Sequence, residues 1–260
     1  MIPRLARCAL AAGLVATASS IALAQDSRTT LSVGADYSAG KFGQTQNTDL
    51  LYIPVTAKHE AGRWTFKAVV PYIHITGPGN VVGSPDNIVI LPGGAAAIRT
   101  ENGLGDVVAS AFYNVLNESS APLGLDLGAK IKFGTADASR GLGTGKTDYA
   151  LQADLFKPVG ALTAFGSLGY RWYGDPAGTD LKNAFYGAIG ASYKVSQPTT
   201  VGLAYDARGR ISQGGGAVSE LTVFATRAFS PAWKLQIYGV KGFADGSPDA
   251  AGGAVLSYSF

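Results

Sequence analysis

The two histidines of the sequence, His59 and His74, are the side chains best suited to act as a general base near neutral pH. A hydrolytic site also needs a nearby serine nucleophile and a group that orients the base. If the chain around His74 is extended, the next residue on its face is Thr76, whereas Ser110 and Asn114 on the following segment fall on the opposite face. The sequence therefore assigns no catalytic residue, and an outer-membrane lipid hydrolase stays a minor alternative.

Cofactor and metal chemistry has no better support in the residue pattern. The single cysteine, Cys8, excludes a disulfide within the chain and a cysteine-rich metal site. The glycine-rich string at 141–145 lies between two extended segments, so it lacks the helix N-terminus that a phosphate-binding loop needs. No block of basic residues suggests nucleic acid. We predict no cofactor, no metal site and no nucleic-acid partner.

Charged side chains recur at every second position of extended segments, opposite apolar ones. Asp126, Lys130 and Lys132 alternate with leucine, alanine and isoleucine, and the next segment carries Asp148 and Asp154. We predict that this polar face walls an enclosed interior, either as an open polar pore or as a salt-bridged filling. The predicted lining residues are Asp36, Lys58, Lys67, Asp106, Asp126, Lys130, Lys132, Asp148, Asp154, Arg171, Asp206 and Arg208.

Only a sheet that closes on itself brings these side chains together. Alternation with a period of two predicts twelve antiparallel strands. Each is long enough for the roughly 9–11 residues that a tilted strand needs to cross a bilayer, and an even number lets the sheet close with both termini on one side. The predicted strands span 29–39, 46–59, 63–76, 104–117, 123–134, 146–157, 160–173, 181–195, 198–210, 217–230, 233–243 and 249–260.

The apolar face of these strands carries aromatic residues near the strand ends, which is typical of girdles at the two surfaces of a bilayer. The predicted girdle residues are Tyr37, Trp64, Tyr72, Phe133, Tyr149, Tyr170, Trp172, Tyr186, Tyr205, Trp233, Tyr258 and Phe260. Connections also alternate between short turns and longer loops, as in membrane barrels. The predicted fold class is therefore all-β: a transmembrane antiparallel up-and-down β-barrel of about 12 strands, with both termini periplasmic.

The N-terminus reads as an export signal. Residues 1–24 contain Arg4 and Arg7, then an apolar stretch, and end in the small-residue cleavage pattern Ala-Leu-Ala. We predict a signal peptide over 1–24 and an outer-membrane β-barrel domain over 25–260. Removal of the signal lowers Lys+Arg from 21 to 19 against 18 Asp+Glu, so the mature net charge is +1.

Pro54 and Pro71 stand in the middle of consecutive predicted strands. Proline cannot donate to a sheet ladder, and a barrel has no edge at which to place it. One hypothesis is a kink that opens a lateral route from the interior to the membrane between these two strands. The alternative is a pair of ordinary bulges.

The longest predicted loop, 77–103, contains an unusual apolar stretch: Ile88, Val89, Ile90 and Leu91. Loops of more than about 15 residues without structure of their own are commonly functional or disordered. We expect this stretch to fold over or into the barrel mouth as a constriction. The alternative is an exposed loop that packs on the rim.

The chain resembles a known family of membrane proteins. Its last strand, Leu-Ser-Tyr-Ser-Phe ending at Phe260, resembles the C-terminal signature that the assembly machinery of bacterial outer-membrane barrels reads. The stretches TDLLYIPVTAKHEAGRWTFKAVVPYIHITGPGNVVG, ENGLGDVVASAFYN and SLGYRWYGDPAG are similar to an outer-membrane family labelled as transporters or as proteins of the meta-pathway of phenol degradation. This resemblance implies a membrane barrel that passes small, often aromatic or hydrophobic, compounds.

The function that these observations predict is passive passage of small solutes through a bacterial outer membrane. The expected partners are the lipid bilayer and lipopolysaccharide, the barrel-assembly machinery, and a small-molecule solute. A closed structural or adhesive barrel without transport is the main alternative.

Overall fold

The computed structural model describes residues 27–83, 88–92, 97–117 and 121–260. The predicted signal peptide, 1–24, lies outside the described residues, so its prediction stands as made from the sequence. Among the residues described, the only helical element is one 3₁₀ turn, Ala138–Arg140, and no helix is both long and apolar enough to span a membrane.

The described chain is built from β-strands, numbered here in chain order. They are β1 Ser27–Gly40, β2 Thr48–Ala61, β3 Trp64–Pro78, β4 Val81–Val82, β5 Val89–Ile90, β6 Ile98–Leu104, β7 Val108–Leu116, β8 Gly124–Lys132, β9 Asp148–Val159, β10 Leu162–Trp172, β11 Ala184–Lys194, β12 Thr199–Arg208, β13 Val218–Ala228, β14 Trp233–Gly242 and β15 Ala250–Ser259.

Antiparallel pairing closes the large sheet into a barrel. Its strand order runs from β2 through β1 and β15 back to β3 and β6, and a further pairing of β2 with β3 completes the circle. β6 and β7 both pair with β3, the first along its C-terminal half and the second along its N-terminal half. Together they occupy the place of one strand in the barrel wall, and each such place is called a stave here. The wall therefore has twelve staves, which confirms the predicted barrel.

The split stave has a local cause in Pro71. Pairs on the β3–β6 side include Tyr72 with Leu104, and pairs on the β3–β7 side include Val69 with Val108. The chain therefore holds one extra residue at 105–107, which is the count of a β-bulge. Proline has no N–H to offer at this point of the ladder. The prediction of one strand over 104–117 was wrong in this respect, since the stave begins at Ile98 and is interrupted.

The same ladder argues against a lateral opening between the second and third strands. Pro54 lies directly opposite Pro71 in an unbroken β2–β3 register. Opposite residues without N–H groups form a non-hydrogen-bonded pair, so each ring nitrogen faces the other neighbouring strand. Pairing of β1 with β2 lapses only between the pairs Val33–Val55 and Asp36–Tyr52, without a register shift. The predicted route along the β2–β3 seam is corrected: this seam is closed.

Apolar side chains point outward from the barrel and polar ones inward, as predicted. Large exposed residues such as Leu151, Phe185 and Ile189 cover the outer face, whereas buried polar residues such as Asp126 and Gln152 lie on the inner face. This polarity fits a barrel surrounded by lipid and is the reverse of a soluble one. Tyr186 is an exception to the predicted girdles, because its side chain is buried on the inner face of β11.

Two ends of the barrel differ in their connections. The turn end holds the connections at 62–63, 117–123, 160–161, 195–198 and 229–232, together with the start of β1 and the end of β15. The opposite end, here the loop end, holds connections that are mostly longer, at 41–47, 79–97, 133–147, 173–183, 209–217 and 243–249. The predicted sorting of loops by side is therefore present in the structure.

Candidate solute passage

The charged residues that the sequence assigns to the interior all belong to the inward-facing set. Each lies on the face of its strand, or of the bulge beside it, that is buried or half-buried by the opposite wall. Buried inside are Asp36, Asp106, Asp126, Lys130, Lys132, Asp148, Asp154, Arg171 and Asp206. Half-buried inside are Lys58, Lys67 and Arg208.

Lys132 is the centre of an ion-pair cluster at the loop end. Its Nζ donates to Asp106 Oδ2 at 2.8 Å and lies 3.5 Å from Asp148 Oδ2. The same ammonium also donates to Thr144 Oγ1 and to the carbonyl of Lys146. Asp106 accepts in addition from the backbone N–H of Ala136. This cluster ties the bulge beside Pro71 to the loop after β8, so its role is structural.

Two further cations of the interior, Lys130 and Arg171, lie against aromatic rings. Lys130 Nζ lies 5.9 Å from the ring centroid of Phe112 and 5.5 Å from that of Tyr186. Arg171 Cζ lies 5.3 Å from the same Tyr186 ring and 5.7 Å from that of Tyr173. A single inward-facing tyrosine thus stands within cation–π distance of two cations.

The remaining interior polar groups form smaller contacts on several staves. Asn114 donates to Asp126, and Tyr238 donates from its hydroxyl to Asp36 at 2.7 Å. Closer to the turn end, Lys58 pairs with Glu60 at 3.0 Å, and both side chains are partly exposed within the barrel. The Lys58–Glu60 pair lies within β2, whereas Lys132 and Asp148 lie on the neighbouring strands β8 and β9 and form an ion pair between strands.

One sector of the interior is apolar, which the sequence did not indicate. In the loop-end halves of β2 and β3 the inward residues are Leu50, Tyr52, Ile73 and Ile75, all buried. They pack in one cluster with Phe42, Ala136, Leu142, Val81, Ile88 and Ile90. The inner wall is thus amphipathic, because this sector is apolar at the loop end while charged residues line the other staves.

The hairpin formed by β4 and β5 fills the loop end between opposite walls. Val81 and Ile90 belong to the cluster on β2 and β3. Val82 and Val89 belong to a second cluster, whose other members lie on or beside the far staves: Tyr173, Leu181, Ala184 and Ile211, with Leu91 packed against them. A two-stranded ribbon with one face on each wall spans the barrel mouth.

Polar contacts fix this hairpin at its margins. Arg99 donates to the carbonyl of Gly79 at 2.7 Å, and the N–H of Gly83 donates to the carbonyl of Gly141. Asn80 donates to the side chain of Gln44. The described part of the predicted constriction stretch, Ile88 to Leu91, therefore lies inside the mouth and not on its outer rim.

Inward-facing aromatic rings lie over glycines of the neighbouring strand. A Cβ atom at Gly169 would overlap the ring of Tyr186, and one at Gly128 would overlap that of Phe112. Tyr238 crosses Gly253 in the same way and so reaches Asp36 on the strand beyond. Glycine thus lets each ring lie flat along the wall.

The two histidines occupy different surroundings. His74 is exposed on the outer face of β3, paired in register with Leu51 and Asn102. His59 Nδ1 lies 2.9 Å from the hydroxyl of Thr29 near the turn end. The structure therefore keeps the two histidines at opposite ends of the barrel wall.

Outside the wall, the loop after β8 carries its own electrostatic arrangement. Hydrogen bonds from the hydroxyl and backbone N–H of Ser139 hold the pKa of Asp137 below its usual value. Arg140 donates to Glu101 at 2.8 Å, and this contact raises the pKa of the guanidinium. Asp137 caps the 3₁₀ turn that leads into the loop-end cluster.

Comparison with known proteins places the chain in a family. The family model described as "Putative MetA-pathway of phenol degradation" matches residues 27–260. No curated protein matches. The COG4313 outer membrane channel from Pseudomonas putida F1 is similar in structure, with a TM-score of 0.70, 15% identity, and coverage of 90% of this chain and 95% of that one.

Two porins resemble the chain more distantly. The KdgM porin has a TM-score of 0.51 at 11% identity and covers 89% of this chain and 99% of its own. The NanC porin has a TM-score of 0.51 at 13% identity, with coverage of 88% and 98%. At these identities the likeness concerns the fold alone. The chain belongs to the family described as putative MetA-pathway of phenol degradation, and its fold is the closed β-barrel of an outer membrane channel.

Proposed function

We propose that the protein lets small solutes, above all aromatic or hydrophobic ones, diffuse passively across the outer membrane. The observation that carries this proposal is the amphipathic interior. Charged side chains line several staves, while Leu50, Tyr52, Ile73 and Ile75 offer an apolar wall at the loop end. An interior of purely salt-bridged charges would repel an apolar solute, whereas this one contains an apolar wall at the loop end, covered by the hairpin, on which such a solute can pack in place of the hairpin.

The hairpin is the constriction of this passage. Its side chains contact both walls, and polar contacts hold it at its margins. A solute from outside therefore meets Ile88, Val89, Ile90 and Leu91 before it reaches the charged interior. In this proposal the loop end faces the exterior, beside lipopolysaccharide, and both termini are periplasmic.

The remaining assignments follow from this orientation. The strand that ends beside Phe260 pairs with both β1 and β14 and closes the barrel. This position suits a segment that the assembly machinery would read during insertion. We propose a function without catalysis: His74 faces outward on β3, whereas Ser110 on the neighbouring β7 is paired with the inward Lys67, so these two side chains lie on opposite faces of the wall.

Permeation of purified protein in lipid vesicles tests the proposal. Phenol and benzyl alcohol also cross lipid without protein, so the measured quantity is the swelling rate in excess of that of control vesicles that contain the heat-unfolded protein. This excess should be larger for phenol or benzyl alcohol than for a sugar of similar mass, and planar bilayers should show discrete conductance steps. If the folded protein adds nothing to the entry of either solute and no conductance appears, the barrel is closed, and a structural or adhesive role replaces transport.

A further inference from the structure

Four basic side chains of the interior lie on one line of the sheet. Lys58 is paired with Lys67 across β2 and β3. The same line of directly opposed residues continues through Ser110 to Lys130. It then passes through Ala150 to Arg171. This basic row, defined by Lys58, Lys67, Lys130 and Arg171, contains no carboxylate.

Four interior carboxylates lie on a second, parallel line. Asp126 is paired with Asp154 across β8 and β9. The line continues through Ser167 and Ala188 to Asp206, which is paired with Glu220. On β8 the first line passes through Lys130 and the second through Asp126. These two residues are four positions, or about 13 Å, apart along the strand. This acidic row, defined by Asp126, Asp154, Asp206 and Glu220, contains no basic residue.

Between the two rows runs a line without charge over β7 to β11. Phe112, Gly128, Gln152, Gly169 and Tyr186 succeed one another in register. The rings of Phe112 and Tyr186 therefore stand directly beside the cations of the basic row, which accounts for the cation–π distances to Lys130 and Arg171.

The basic row leads from one end of the barrel to the other. Lys58 lies three residues from the end of β2 at the turn end, and Arg171 lies next to the last residue of β10 at the loop end. Strand tilt turns a line of register into a diagonal across the wall. An anion that enters at the loop end thus meets Arg171 first, then Lys130, then the adjacent Lys67 and Lys58.

From this arrangement we propose that the basic row is a track for small aromatic carboxylates. This inference rests on the proposed function and names a solute class for it. The carboxylate of such a solute binds the Lys and Arg head groups, while its ring stacks against Tyr186 and Phe112. Neutral aromatics use the same apolar contacts without the charge, and organic ammonium ions are attracted to the acidic row on the other staves.

Neighbouring acids weaken the track without removing it. Glu60 lies 3.0 Å from Lys58, and Asp148 interacts electrostatically with Arg171. Glu60 lies at the turn end, and Asp148 is also shared with Lys132. Lys67 and Lys130, in the middle of the row, also have interaction partners inside the barrel, so an incoming carboxylate competes with those contacts. Lys67 is the less buried of the two, and its substitution should have the clearest effect.

The test compares benzoate, benzyl alcohol and benzylammonium, which have nearly the same shape and differ in charge. Liposome-swelling rates at pH 7 give the ratio of benzoate to benzyl alcohol, and the reversal potential in a salt gradient gives anion against cation selectivity. Lys67→Gln should lower the benzoate ratio about threefold to fivefold and shift the reversal potential toward cations, because one charge of the row is lost.

Matched variants separate the track from a general effect of charge. Lys157→Gln removes a cation on the exposed outer face of β9 and should leave the ratio unchanged. Asp154→Asn, in the acidic row, should shift the reversal potential toward anions. Heat-dependent gel mobility verifies that each variant is a folded barrel.

The outcomes distinguish this inference from the proposed function. Entry of benzyl alcohol with an equal or lower rate for benzoate, and no change in Lys67→Gln, overturns the track and leaves passive passage intact. Equal effects of Lys67→Gln and Lys157→Gln overturn it as well. If no aromatic solute enters at all, both the track and the proposed function fail.

Discussion

The two ends of the barrel interior are built on the same wall and are filled differently. At the loop end, Ile73 and Leu50 are completely buried by the hairpin and by surrounding loops. At the turn end, inward residues of the same two strands, Lys58 and Lys67, stay partly exposed to the interior. One strand thus changes from a closed apolar core to an open polar lining within a few residues.

This difference shows that the wall and its contents have separate origins. The wall follows from local alternation and ladder pairing, which continue unchanged along β2 and β3. The contents at the loop end follow from long-range packing of a loop segment on inward side chains. Stability should therefore be concentrated at the loop end, and permeation should be limited there.

The largest effect is expected on removal of the hairpin. Pro78 and Ile98 lie opposite each other, so a two-residue Asn-Gly turn can replace residues 79–97 and keep β3 paired with β6. Single-channel conductance should rise several-fold, because the segment that contacts both walls is gone. Replacing the short connection 195–198 by the same dipeptide is the control. An unchanged conductance in the hairpin variant would contradict the constriction.

The next effect concerns the ion-pair cluster around Lys132. Asp106→Ala should lower the free energy of unfolding by about 3 kcal/mol, because it leaves a buried ammonium with one acceptor fewer and the Ala136 N–H without its acceptor. Glu60→Ala at the turn end removes a partly exposed partner of Lys58 and should cost at most about 1 kcal/mol. Urea unfolding in vesicles measures both, and equal losses would refute the contrast between the ends.

A third, smaller effect compares apolar packing on one strand. Ile73→Ala should cost about 2 kcal/mol or more, since Ile73 is fully buried in the loop-end cluster. Val69→Ala, two positions beyond Pro71 on the same inner face, should cost about 1 kcal/mol because Val69 is only half-buried. The same unfolding assay measures the free energy of unfolding of both variants. A larger loss of this free energy in Val69→Ala than in Ile73→Ala would show that the turn end is the better packed.

The smallest effect is a pH dependence at Asp137. Its pKa is lowered in the folded state, so its contribution to stability is present above the pKa of the unfolded chain, about 4, and is lost as the pH falls through the lower folded value. Melting curves of the wild type and of Asp137→Asn should differ at pH 6 and converge near pH 2. A difference that grows on acidification would reverse the assigned sign.

The sequence predicted the wall well because alternation is a local property. The inward faces of Asp126, Lys130 and Asp154 follow from counting by two, and so does the closure into twelve staves. Tyr186 was assigned to the wrong face, since both faces of β11 combine small residues with aromatic ones, which leaves the alternation ambiguous. The buried cluster on Leu50 was not predicted, because it depends on contacts with a loop far along the chain.

The proline pair shows the same limit from another direction. The sequence shows that both prolines lie in mid-strand. Which neighbouring strand lacks a hydrogen-bond donor at each proline, however, depends on the register of the pairing. Only the pairing of Pro54 with Pro71 shows that the interruption falls on the far side of β3, at the bulge near Asp106. Signals for such a bulge exist in the nearby glycines, yet they do not specify which strand is interrupted.

The rings that lie over glycines set the bore of the barrel. Because Tyr186 rests on Gly169 and Tyr238 on Gly253, these large side chains occupy wall thickness instead of cross-section. A methyl group at either glycine would swing the ring toward the axis and narrow the conduit from within. The glycines of the wall thus determine how wide the channel is for a solute that passes through it.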